Sequence, residues 1–500
     1  MLRTIISLLL ALTLLCGTAL AEPAAPASSG VTYEIFVASF QDSDGDGCGD
    51  LQGIINRLDY IASLGVDSIW LMPIHPSVSY HKYDVMDYYA IDDKYGTLAD
   101  FDALAAACAE KGIGITLDLV VNHSSKYHPW FLAACDALRN GADSPYIAWY
   151  NFTKGEGQHS VSGTDWYYEG PFGDHMPDLN LDNPEVRAEI AKIIGFWQSH
   201  GVTGFRLDAV TSYYTGANES IKDFLTFVCK TAKATDPDCY IVGECWADEA
   251  TIMDLYQSGI DSLFNFPAAD TNGTFVQASL NAKGAASAHL LTEWNQKLRA
   301  ASPASIDAPF LTNHDLARAA GMLRLKVPFE KAASMLYLLS TGRPTVYYGE
   351  ELGMTGSGKD ENKRLPMVWS TAEGTVLCNP PADADQKQRL KEGVDVQDAN
   401  PDSLLNWYRQ LIALRAQAGH VFTYGTMTNL DAGHAAVAFY RIDGEQGSVA
   451  VLSNIHQAET VTVDASLLGS TSLLGQLGGA SVDGSTVTLP PISCLLLQID

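Results

Sequence analysis

The chain has 500 residues, of which 47% are hydrophobic, and 59 acidic against 31 basic side chains give a formal charge of −28. Such a field repels nucleic acid and anionic lipid and is indifferent to a neutral substrate. The apolar fraction excludes disorder, and the length exceeds one ordinary domain while suiting a single barrel with insertions.

Arg3, the apolar run Ile5 to Leu15 and Ala19-Leu-Ala21 predict an export signal cleaved after Ala21, with residues 22–30 as a flexible leader. The mature charge is then −29, and the protein is expected outside the cell. The run is short for a membrane anchor, and no other stretch reads as transmembrane. Leu15 stands where lipidation of Cys16 would want a small residue, so lipid anchoring is not expected. Nine cysteines lack any CxxC or zinc spacing. Export would permit a Cys229–Cys239 disulfide, but irregular spacing and a large core favour buried thiols.

From Tyr33 onward, strand-like runs alternate with helical patterns, which implies βα units around a parallel sheet. The predicted strands are Tyr33–Phe40, Ser68–Met72, Ile113–Val121, Thr203–Leu207, Tyr240–Gly243, Ser262–Phe264, Pro309–Leu311 and Thr345–Tyr348. Helical patterns between them include Leu51–Leu64, Asp100–Lys111, Pro184–His200, Ser220–Ala234 and Phe329–Ser340. Eight strands fit an α/β fold of the (β/α)8 TIM-barrel type, over residues 31–121 and 185–420. The interval 122–184 is too long for a βα loop and rich in Tyr, Trp, Gly and Pro, so it predicts a small inserted domain after the third strand. A second long loop runs from Gly349 to about Pro401. Residues 421–500 turn to short alternating strands, such as Ala435–Arg441 and Ser448–Ser453, which predict a C-terminal antiparallel β-sandwich.

Four segments place acids at or just beyond strand ends: Asp118-Leu-Val-Val-Asn-His123, Gly204-Phe-Arg-Leu-Asp208, Gly243-Glu244 and Phe310-Leu-Thr-Asn-His-Asp315. The carboxyl ends of barrel strands are where catalytic groups gather. Catalysis by a pair of acids needs one protonated and one ionised carboxyl group. Asp208 suits the carboxylate, because Arg206 two residues earlier points to the same face of the strand and would hold it ionised. A structural Arg–Asp pair is the alternative reading. Glu244 ends an apolar strand beside Trp246, a setting that keeps a carboxylic acid protonated. Asp42, Asp44, Asp46 and Asp50 alternate with glycines, and with the Cys48 carbonyl they would ligate calcium; the alternative is a plain acidic turn. Gly53 at position twelve excludes an EF-hand.

The four segments, in this order, resemble the α-amylase family, glycoside hydrolase family 13. The resemblance implies that Asp208 is the nucleophile, Glu244 the general acid and Asp315 a third acid that steadies the distorted ring, with Asp118 in support. His123 and His314 would hydrogen-bond sugar hydroxyls, and Arg206 belongs with the substrate-contacting groups. Tyr80-His-Lys-Tyr-Asp84 is similar to the family's substrate loop, so Tyr83 would stack on the sugar. Asp84, with Arg364 from the late loop, would recognise a terminal glucose, against the alternative of a solvent-facing charge pair. Met176-Pro-Asp-Leu-Asn180 resembles the fifth motif of subfamilies between oligo-1,6-glucosidase and neopullulanase. Ala209-Val-Thr-Ser212 departs from the Lys-His of many α-amylases, which removes a usual interdomain calcium contact. Ala209, where α-1,6 enzymes tend to carry valine, points to α-1,4 bonds.

The expected function is retaining hydrolysis of α-1,4-glucosidic bonds in starch and maltooligosaccharides by a monomer with Ca2+. The alternatives are an exo-acting α-glucosidase or oligo-1,6-glucosidase, a transglucosylase, and a sugar-binding barrel without catalysis.

Overall fold

A computed structural model describes residues 28–500. The predicted signal and most of the leader lie outside the described residues. Ser29 and Gly30 were expected in the flexible leader, but both are buried. The Ser29 hydroxyl bonds the Gly65 carbonyl at 2.8 Å, and the Gly30 N–H donates to Asp67.

Seven parallel strands curl in chain order: β1 (Thr32–Ile35), β2 (Ser68–Leu71), β3 (Gly114–Leu119), β4 (Gly204–Leu207), β5 (Tyr240–Gly243), β6 (Ser262–Leu263) and, beyond the seventh position, β8 (Thr345–Tyr347). Residues 308–310 supply β7. Parallel bridges from Ala308 to Phe264 and from Phe310 to Thr345 close the (β/α)8 barrel. The strands are short and buried on both faces, as a barrel wrapped by helices demands. The predicted first strand is longer than the observed one: it ends at Ile35 and passes into a 3-10 turn at Val37–Ser39.

The helix predicted over Leu51–Leu64 is two helices, Leu51–Asn56 and Leu58–Leu64. Arg57 breaks it, with its guanidinium 4.1 Å from the Trp369 ring and its Nε donating to Gln41 at 2.8 Å. Pro184–Ser199 begins as predicted, because Asn183 caps the Glu185 N–H and Pro184 needs no donor in the first turn.

Trp70, Val242, Phe264, Phe266, Ala308 and Phe310 fill the barrel interior. Polar groups share that interior: Glu34 lies in register with Trp70 and Tyr347, and Asp118 with Arg206. Between β3 and Pro184 lie a helix, Pro129–Asn140, and a three-stranded sheet of Phe152–Lys154, His159–Ser160 and Trp166–Tyr168. This insertion is tied to the end of β3 by Leu179 N–H to Asn122 O at 2.9 Å.

At the C-terminus a five-stranded and a three-stranded antiparallel sheet enclose a core that includes Phe439, Leu452, Val463, Val487 and Leu495, which makes the expected sandwich. No helix among the described residues is long and apolar enough to cross a membrane. The eight described cysteines are free thiols, Cys229 and Cys239 among them.

Candidate active site

Each acid reaches the barrel mouth because its strand stops there. Arg206 occupies β4 with no exposed surface and lies under three carboxyl groups. Its Nη1 is 2.9 Å from Asp118 Oδ1 and 2.7 Å from Asp208 Oδ1, while Nη2 is 3.0 Å from Glu244 Oε2. Arg206 is therefore corrected from a substrate contact to a group beneath the acids. Ala209 follows Asp208 with φ 48°, a left-handed turn that aims its N–H at Glu244 Oε2 at 2.9 Å. Strain of this kind persists where surrounding structure overdetermines it. Burial raises the Glu244 pKa from its ordinary value, with Asp208 and Asp315 adding to the shift and Arg206 opposing it.

Asp315, beyond β7, is paired differently. His314 Nε2 stands 3.1 Å from Oδ2, and Arg364 Nη2 stands 2.9 Å from Oδ1. Burial alone would raise the Asp315 pKa, but His314 and Arg364 outweigh it and hold the carboxyl well below its usual range. The His314 ring stacks on Tyr83 at 5.7 Å and offers Nδ1 to Glu34 Oε1 at 2.5 Å. The Tyr83 hydroxyl donates to Asp118 Oδ2 at 3.1 Å, and the Trp70 indole N–H donates to the same oxygen at 3.3 Å.

A cleft of about 290 Å³ lies over these groups, lined among others by Tyr83, His123, Asp208, Glu244, Asp315 and Arg364. Phe172 and Trp246 stand partly exposed on its rim, and Trp246 stacks on Phe266 at 4.9 Å. His123 is buried with its Nε2 unbonded, and burial keeps the ring neutral by lowering its pKa. Asp84 is also buried: the Ser77 and Ser79 hydroxyls donate to Oδ1, and Oδ2 has no protein partner. Neither Asp84 nor Arg364 faces solvent, which removes the surface-pair reading. They do not bond each other, because Arg364 is committed to Asp315, to the Tyr80 hydroxyl at 2.9 Å and to the His314 carbonyl at 3.3 Å.

Sequence reading passed over Glu34, although one acid in the apolar run Thr32–Ile35 was a usable signal. Phe172 was hidden in an insertion rich in aromatic residues.

The catalytic-domain profile of α-amylase matches residues 34–425. The chain belongs to the α-amylase family. This α-amylase-family chain is 34% identical to Alpha-amylase 3 of Dictyoglomus thermophilum over 491 residues, 94% of its own length and 93% of the relative's. It is 28% identical to a glucan 1,6-alpha-glucosidase of Streptococcus pneumoniae, over 87% of this chain and 92% of that one. The structure of Eubacterium rectale Amy13B superposes with a TM-score of 0.88 at 38% identity, covering 95% of this chain and 97% of that chain. The α-amylase-family chain is thus a glycoside hydrolase.

In the loop that follows β1, carboxylate oxygens of Asp42, Asp44 and Asp50 come within 4.8 Å of one another. The Asp46 carboxyl stands outside this trio and accepts the Cys48 N–H at 2.6 Å. Burial would raise the Asp42 pKa, but the N–H groups of Gly45, Gly47 and Asp44 lower it. Three oxygen donors of one charge sign fit a hard cation.

Proposed function

We propose that this glycoside hydrolase cleaves α-1,4-glucosidic bonds of starch, maltodextrins and maltooligosaccharides with retention. The observation that carries the reading is that Asp208 and Glu244 share one guanidinium at the floor of one cleft, where burial drives Glu244 toward its protonated form. In the first step Glu244 gives its proton to the glycosidic oxygen. An Asp208 oxygen bonds the anomeric carbon as the bond to the leaving sugar breaks. In the second step Glu244 takes a proton from water, whose oxygen attacks the same carbon and releases Asp208. Asp315, held anionic by His314 and Arg364, faces the positive charge that develops on the ring.

Tyr83 would pack on the sugar in the central position. The free Nε2 of His123 is suited to a sugar hydroxyl. His314 has both ring nitrogens engaged by protein groups, so sugar contact through it requires exchange of the Tyr83 bond. Ala209 lies on the cleft wall where, by the family resemblance, α-1,6 enzymes tend to carry valine, which supports α-1,4 linkages. Asp42, Asp44 and Asp50 would hold Ca2+, whose contribution is structural, tying the loop after β1 to the helix that Asp50 caps.

Exo-acting α-glucosidase is the second reading, favoured by the buried, unpaired Asp84 Oδ2, which could grip a terminal glucose. The deciding experiment uses a maltooligosaccharide blocked at its non-reducing end beside an unblocked control. Cleavage of both establishes endo action, the result expected. Release of glucose from the control alone makes the enzyme an α-glucosidase, and cleavage of neither removes the α-1,4 reading.

A further inference from the structure

Glu34 sits on β1 without exposed surface, the one charged residue of a buried strand. A buried acid is costly unless it is paired and hydrogen-bonded. Its Oε1 lies 2.5 Å from His314 Nδ1, and its Oε2 has no hydrogen-bond partner. A carboxylate can only accept, so facing Nδ1 it requires the proton on that nitrogen. The opposite nitrogen, Nε2, meets Asp315 Oδ2 at 3.1 Å and the Tyr83 hydroxyl at 2.8 Å. That hydroxyl spends its own hydrogen on Asp118 Oδ2 at 3.1 Å, so toward the ring its oxygen can only accept. With two acceptors before Nε2, a proton is needed there as well.

We infer that Glu34 is a positioning residue that holds the His314 ring doubly protonated, so that His314 and Arg364 together clamp Asp315 as an oriented anion. The inference rests on the glycosidase reading, in which that anion faces the charge developing on the sugar. The groups around the ring agree with it. Glu34 from β1 and Asp315 are the acids in direct contact; Asp118 on β3 acts through Tyr83, and Tyr347 on β8 lies in register with Glu34. The cations Arg206 and Arg364 lie behind Tyr83 and at the His314 carbonyl, and Trp70 gives only its ring, 5.6 Å away. Burial would lower the His314 pKa, but Asp315 and Glu34 outweigh it and carry it to about 9.

Glu34→Gln keeps the shape and removes the charge. The readout is the ring nitrogen signals of the 12 histidines in protein labelled with 15N-histidine, with His314 identified by the signal lost in His314→Asn. His314 is expected to be imidazolium at pH 7.5 in the unaltered protein and neutral in Glu34→Gln. On maltooligosaccharide, kcat at that pH should fall by about tenfold, with the alkaline limb moved to lower pH and KM little changed. A His314 that titrates near the ordinary value of about 6.5 in the unaltered protein overturns the inference, even if the variant does not fold. So do ring signals and a pH profile unmoved by Glu34→Gln. If His314 is charged through Glu34 while the unaltered protein hydrolyses no α-glucan, the α-1,4-glucan reading fails and the Glu34–His314 relation stands.

Discussion

One guanidinium, that of Arg206, meets the carboxyl groups of Asp118, Asp208 and Glu244, and a single positive charge cannot balance three negative ones. A proton among them relieves the excess, and burial raises the pKa of Asp118, to about 7, and of Glu244. The consequence for rate has a definite sign. In the proposed mechanism Glu244 is a general acid only while protonated, and its pKa is raised, so activity would be lost as pH rises through that elevated pKa. A kcat/KM profile should show this alkaline limb. Asp208→Asn should reduce hydrolysis by roughly 10³-fold or more with the thermal transition kept, because the amide cannot form the glycosyl bond. Arg206→Met should cost about 3–5 kcal/mol in denaturant unfolding, since it strands buried acids without their cation.

At the scale of elements, stability hangs on contacts between segments remote in sequence. Arg415, on the helix Leu404–Ala416, is fully buried and donates to the carbonyls of Ser29, Leu338, Ser340 and Gly342. It thereby joins the chain entering β1 to the segment entering β8. Arg415→Met leaves those carbonyls without donors and should lower stability by about 3 kcal/mol or more in a denaturant titration. The acidic loop makes a parallel case. With Ca2+ at about a hundred times its Kd, linkage supplies about 2.7 kcal/mol, so a chelator should lower Tm by a few degrees and calcium alone should restore it. A Tm that ignores both treatments would remove calcium from this loop.

For the whole molecule, the charge of −28 would meet the neutral substrate proposed above, so KM for maltooligosaccharide should stay level across ionic strength while a charged ligand's would not. Periodicity carried the barrel, because eight apolar runs separated by helical patterns can bury themselves in few other ways. The acids at the ends of β3, β4 and β5 were legible for the same reason: a strand's end is a local property. Sequence also marked the insertion and the sandwich, through loop length and a change of period. What residues near one another in the chain could not reveal was partnership across the barrel. Asp84 and Arg364, read as a pair, are buried with different partners, Ser77 and Ser79 for one and Asp315 with Tyr80 for the other. Glu34 finds His314 at a distance of 280 residues. Strand ends and alternation follow from the backbone's own geometry, which sequence determines locally. Which charges meet, and which carboxyl keeps a proton, follow from low-dielectric contacts that exist only once the barrel closes.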